Sequence, residues 1–113
     1  MKKITAFFYK NASGKEPVRE WLKDLSQADS RRIGTDIRTV EYGWPIGMPL
    51  SRPLGKGLFE VRTSLSNNRI ARVIFSVEDD AMYLLHGFIK KTEQILQKDI
   101  ELALTRKREL EDE

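Results

Sequence analysis

The 113-residue chain has no cysteine. That excludes a disulfide framework, a thiol nucleophile and a thiolate metal site, and it fits a cytoplasmic protein. There is one histidine, His86, and the acids are dispersed. No metal-ligand spacing results, so neither a metal nor another cofactor is expected. No apolar run approaches the roughly 18 residues of a membrane span. The stretch after Lys2-Lys3 is interrupted at Lys10, too early for a secretory signal. No glycine-rich loop follows a strand and opens a helix, which leaves nucleotide hydrolysis without support. Repeats, low-complexity tracts and linkers are also missing, and the reading is one domain over residues 1–113.

What is present is a charged, soluble composition, 33% Asp, Glu, Lys and Arg, with a net charge of +3. The segment from Tyr42 to Lys91 holds seven bases (Arg52, Lys56, Arg62, Arg69, Arg72, Lys90 and Lys91) against four acids, three of which form one turn. The middle of the chain is therefore locally basic, as an anion-binding surface would be.

The pattern predicts a strand over Lys3–Tyr9 and then a helix opened by Pro17, with Val18, Trp21, Leu22 and Leu25 on one stripe. Ser26 to Asp29 resembles a capping box for a second helix that buries Ile33, Ile37 and Val40 and ends at Gly43 in a left-handed turn. Residues Trp44 to Pro49 read as a turn-rich connection. Leu58–Leu65, Ile70–Val77 and Met82–Ile89 read as three strands of an antiparallel meander. A last helix runs from Glu93, with Leu96, Ile100, Ala103 and Leu104 on one face and a fraying end from Glu109. The fold class is α+β, in the order β-α-α-β-β-β-α, with helices packed on an antiparallel sheet.

Register decides which cations meet. A three-residue loop, Ser66-Asn67-Asn68, with Asn68 left-handed, sets Val61 against Val73, Phe59 against Phe75 and Arg62 against Arg72. The same rule with Glu78-Asp79-Asp80 as a loop sets Phe75 against Tyr83, Val73 against Leu85 and Arg72 against His86. One face then carries Phe59, Val61, Val73, Phe75, Val77, Tyr83 and Leu85 as core beneath the first two helices. The other carries Arg62, Arg72 and His86 in a row, with Lys90 at the same parity. Like charges directly opposite destabilise a sheet, so this row suggests an expected anion. Glycines around Lys56 would let a polyanion approach the backbone.

The segments Pro53-Leu54-Gly55-Lys56-Gly57-Leu58-Phe59-Glu60-Val61-Arg62, Arg69-Ile70-Ala71-Arg72-Val73 and Leu84-Leu85-His86-Gly87-Phe88-Ile89-Lys90-Lys91-Thr92 resemble the signature of the HigB-like, phage-derived branch of the RelE/ParE toxins. The resemblance implies the RelE-like fold, a type II toxin–antitoxin system, ribosome-dependent cleavage of mRNA and inhibition of translation. It implies a cognate antitoxin as partner, a small helix-turn-helix protein, and it places Arg62, Lys90 and Lys91 on the functional surface. Some members of the superfamily inhibit DNA gyrase without cutting anything, and that is the alternative reading. A phage-derived binding module without toxicity is a third.

Metal-free RNA cleavage uses the 2′-hydroxyl as nucleophile and needs a base, a stabiliser of the phosphorane and an acid. Arg62 and Arg72 suit the phosphorane, because a guanidinium matches phosphate oxygens. His86 is the simplest acid or base, and Lys90 or Lys91 substitutes if its pKa is lowered by basic neighbours. Lys56, Arg69 and Thr92 are expected to bind RNA. The bland readings stand beside these: His86 as a structural strand residue, the two arginines as solvated, Lys90-Lys91 as solubilising. Phe88 reads as core or antitoxin contact before a stacking platform, Glu60 as the partner of a neighbouring base, and Arg106, Lys107 and Arg108 as a solvated face.

Overall fold

A computed structural model describes residues 1–90, 95 and 97–112. Strand β1 is Thr5–Phe8, shorter than the apolar run suggests. Helix α1, Pro17–Asp24, opens on Pro17, whose missing N–H costs nothing in a first turn. Helix α2, Gln27–Gly43, is capped by Ser26, whose Oγ accepts from the Asp29 amide at 3.1 Å. Ile33, Ile37 and Val40 form its buried stripe. Its end differs from the expectation. Gly43 is the last helical residue and is not left-handed. Trp44 precedes Pro45, and a residue before proline is driven out of the α region; Trp44 sits at φ −59°, ψ 136°.

Four further strands follow: β2 Ser51–Gly55, β3 Leu58–Ser64, β4 Ile70–Glu78 and β5 Ala81–Lys90, and then helix α3, Gln97–Glu111. The fold is α+β, but it carries one strand more than expected. Pro53 and Gly55 disguise β2, because proline is tolerated only at a sheet edge, which is where β2 lies. Lys56-Gly57 links β2 to β3 with both residues at positive φ, 56° and 78°, the geometry of a type I′ hairpin turn. The glycines around Lys56 therefore build a turn.

The five strands lie in the order β1-β5-β4-β3-β2. β1 runs parallel to β5 and every other neighbouring pair is antiparallel, so the sheet is mixed where an antiparallel one was expected. Both edges are blunted. On β2, Pro53 has no donor and the Ser51 amide bonds the Gly47 carbonyl at 3.2 Å. On β1, the Ala6 amide is taken by the Glu41 carboxylate of α2 at 2.7 Å. Strand addition finds few donors at either edge.

The first hairpin has the expected register: Val61 faces Val73, Phe59 faces Phe75 and Arg62 faces Arg72. Asn67 and Asn68 are both left-handed in its loop. The second register is corrected. Glu78 pairs with Ala81, so only Asp79 and Asp80 form the loop, and Asp79 takes φ 55°. That one-residue slip turns Met82 and Leu84, not Tyr83 and Leu85, toward α1 and α2. A bulge between Ile74 and Phe75 in the pairing then absorbs one residue of β5 and restores the face of the residues beyond. His86 consequently opposes Ile74, and Phe88 opposes Arg72.

Two cores result. Under α1 and α2 lie Val61, Ala71, Val73, Phe75, Met82 and Leu84, with Val18, Ile33 and Val40. On the other face α3 lays Ala103, Ile100 and Leu104 over Tyr9, Leu58, Ile74 and Leu85. The expected start of this helix at Glu93, with Leu96, lies outside the described residues. Its far end is helical to Glu111, where fraying was expected, and Tyr9 Oη donates to Glu109 there. Arg106 is not merely solvated: it donates to the Leu85 carbonyl at 2.7 Å and lies over the Tyr9 ring. Among the described residues no helix is long and apolar enough to cross a membrane.

Trp21 of α1 rests directly on Gly87, where a Cβ would come within 2.4 Å of the indole. Rings cannot yield by that much without moving the helix. Gly87→Ala is expected to lower stability by about 1–3 kcal/mol, the usual cost of overpacking. Urea denaturation checks this, and an unchanged midpoint would contradict the packing.

Candidate nucleic-acid interface

The face of the sheet beneath α3 gathers the cations. Arg52, Glu60, Arg62, Arg72, His86, Phe88 and Lys90 all project there, from β2, β3, β4 and β5. The Glu60 carboxylate is fully buried and takes Arg72 Nη1 at 3.1 Å on each oxygen. Arg52, its directly opposite neighbour on β2, donates Nε to the same carboxylate. Arg72 is also fully buried. It therefore faces no solvent in this arrangement and cannot touch a phosphate, although the sequence reading set it beside Arg62 for that task. Arg62 does lie opposite Arg72 and is only half-buried.

His86 and Lys90 meet on an acid that no local pattern singles out. Asp99, in the first turn of α3, takes His86 Nε2 at 2.9 Å and Lys90 Nζ at 3.1 Å. Lys90 also lies 5.1 Å from the centre of the Phe88 ring, and the His86 ring is tilted against Phe88 at 5.2 Å between ring centres. Burial pushes the His86 pKa below its ordinary 6.5, and the hydrogen bond to Asp99 only partly restores it. Burial would raise the Asp99 carboxyl, but the bonds from His86 and Lys90 outweigh it and hold the group below the usual range. The imidazole is thus neutral near pH 7, with Nε2–H given to Asp99 and Nδ1 left as the proton acceptor.

The remaining expected residues are dispersed. Arg69 is bound to the start of α2: its Nη1 and Nη2 reach the two Asp29 oxygens at 2.9 and 3.2 Å, and it also donates to the Ser66 carbonyl and hydroxyl. The Arg69 hydrogen bond holds the Asp29 carboxyl below its usual range. Arg69 is a strut between hairpin and helix. Lys56 is exposed at the β2–β3 turn. Lys91 and Thr92 lie outside the described residues. No group of three His, Asp or Glu that could hold a metal exists among the described residues.

A model of the family described as Phage derived protein Gp49-like (DUF891) matches residues 20–108. The chain belongs to the Gp49-like family. This is a phage-derived, toxin-like family. The match covers the latter part of α1, all of α2, every strand except β1 and most of α3, so the whole cationic face of this Gp49-like chain falls inside it. A comparison with curated proteins finds no match. Of the Gp49-like chain's site, sequence reasoning missed Asp99; it read Glu60 as the partner of a neighbouring base, which it is, but not that it bridges two. Recognising β2 would have revealed the second, since Arg52 then opposes Glu60. No local signal marks Asp99, because helix-to-sheet contacts leave no fixed spacing.

Two measurements check this geometry. Glu60→Ala removes the carboxylate that holds a buried guanidinium and is expected to cost about 3–5 kcal/mol, whereas Glu60→Leu with Arg72→Met recovers most of it. Additive losses in the double variant would contradict a coupled pair. His86, with its folded pKa depressed, binds its proton more readily in the unfolded chain. The stability it protects is complete above about pH 6.5 and is lost as pH falls through 6.5 toward the folded value. Thermal unfolding between pH 7 and 5 should show that decline, and His86→Gln should flatten it; an identical slope in the variant would contradict the assignment.

Proposed function

We propose that this chain is the toxin of a type II toxin–antitoxin pair, of the HigB-like branch of the RelE/ParE superfamily, and that it cleaves mRNA on the ribosome without a metal. The observation that carries the reading is a neutral, carboxylate-oriented His86 on the same sheet face as Arg62, with Lys90 beside it. Neighbouring strands lie about 4.8 Å apart and His86 sits one same-face row from Arg62, so the two backbone positions are separated by roughly 12 Å, a gap a guanidinium, an imidazole and a phosphate together can span.

In this mechanism the 2′-hydroxyl attacks the adjacent phosphorus as His86 Nδ1 takes its proton. Arg62 stabilises the phosphorane through its planar fork. The bond from phosphorus to the 5′-oxygen breaks, and that oxygen is protonated by a group of the Lys90–Lys91 pair, leaving a 2′,3′-cyclic phosphate and a 5′-hydroxyl. Arg72 does not enter as a phosphate ligand; Glu60 holds it on the neighbouring strand, directly opposite Arg62. The ribosome positions the RNA, so cleavage of free RNA is weak. The partner is a cognate antitoxin, a small helix-turn-helix protein.

Arg62→Ala is expected to abolish growth arrest on induction without antitoxin, with the far-ultraviolet circular dichroism unchanged. Mapping mRNA 5′ ends should give codon-phased cuts for the wild type and none for the variant. Growth arrest with intact transcripts, together with inhibition of supercoiling by the purified protein, would replace this reading with gyrase inhibition.

A further inference from the structure

β2 stops at Ser51, opposite Val61, so the last residues of β3 run on past the end of their neighbour. Between this uncovered stretch of β3 and the solvent side of α2 lies a groove of about 300 Å³, lined by Arg31, Arg32, Thr35, Asp36, Thr63 and Ser64. Arg31 and Arg32 are exposed, and among the described residues neither has a carboxylate within ion-pair distance. The contrast with their surroundings is informative. The nearby Arg69 is matched by Asp29, and Arg72 by Glu60, so the structure neutralises the cations it uses internally. Arg32 donates a long contact, 3.4 Å, from Nη1 to the Ser64 carbonyl, which holds it over the groove, and it adds a weaker electrostatic pull on Asp29 beyond ion-pair distance. Asp36 offsets part of the charge, while Arg38, two turns beyond Arg31 on the same stripe and also exposed, extends it.

The groove adjoins the cationic face. Thr63 is the next residue after Arg62, and Ser64 projects to the same side of the sheet as Arg62. A chain of phosphates leaving Arg62 therefore meets no strand on that side, and reaches Arg31 and Arg32 by rounding the open end of β3. Hydroxyls of Thr35 and Ser64 on the walls suit phosphate and ribose oxygens.

We propose that the α2–β3 groove is a second phosphate-binding subsite, which grips the backbone of a single-stranded RNA whose scissile phosphate lies at Arg62. The inference rests on the nuclease reading and deepens it: it assigns Arg31 and Arg32 to holding the strand away from the reacting bond. They are positioning residues that contact backbone and read no base.

The test is fluorescence anisotropy with a short labelled oligouridylate, titrated at several salt concentrations. Each phosphate contact on a single strand contributes roughly 0.7 to the slope of log K against log salt, so Arg31→Gln with Arg32→Gln should lower the slope by about 1.4 and weaken binding most at low salt. Lys15→Gln with Lys23→Gln, exposed cations on the α1 side, should leave the slope unchanged. Wild-type binding with the same slope in the Arg31/Arg32 variant would overturn the subsite and leave the nuclease reading intact. An equal fall in the Lys15/Lys23 variant would also overturn it, as diffuse attraction. No binding by the wild type at any salt would remove the subsite, while codon-phased cleavage in cells would show whether the nuclease reading falls with it.

Discussion

The Glu60 carboxylate, sealed in the sheet between Arg52 and Arg72, is the interaction on which the rest depends. Pairing Arg62 directly against Arg72 puts like charges across neighbouring strands, a destabilising arrangement on its own. Glu60 offsets it from the adjacent same-face position. Burying a charged pair is costly, and an apolar trio of similar size would serve stability at least as well. What the ionic version adds is a fixed hydrogen-bonded network directly beside an arginine that still reaches the surface. α3 completes the arrangement from above, with Asp99 orienting His86 and restraining Lys90.

How much of this was legible from residues alone depended on how local the governing physics was. The first hairpin was readable because Asn67 and Asn68 tolerate positive φ and because Val61 and Phe59 have apolar partners in only one register. The second was not. Glu78, Asp79 and Asp80 permit a loop of two or three residues, and the bulge near Phe75 has no marker such as glycine. The two errors offset one another for His86 and Lys90, which reach the expected face, but not for Tyr83 and Leu85, which turned to the opposite side. β2 was hidden by Pro53, and the parallel placement of β1 beside β5 is a long-range choice that no local pattern encodes.

The candidate site was legible in outline and wrong in its division of labour. Sequence placed Arg62, Arg72, His86 and Lys90 on one face, and they are there. It had no means of knowing that Arg72 is spent internally or that Arg69 braces α2, since both depend on acids far away in the chain. Membership of the Gp49-like family agrees with a toxin-like role, and the blunted sheet edges leave charged side chains, rather than strand pairing, as the means of contact.

The central claim is that a polynucleotide meets Arg62 while Arg72 stays fixed beside it. Side-chain Nε–Hε resonances of the arginines, followed by NMR as single-stranded RNA is added, separate the two directly. The account predicts a progressive shift for Arg62 and a stationary signal for Arg72. A stationary Arg62 in the presence of saturating RNA, or an Arg72 signal that moves first, would contradict it.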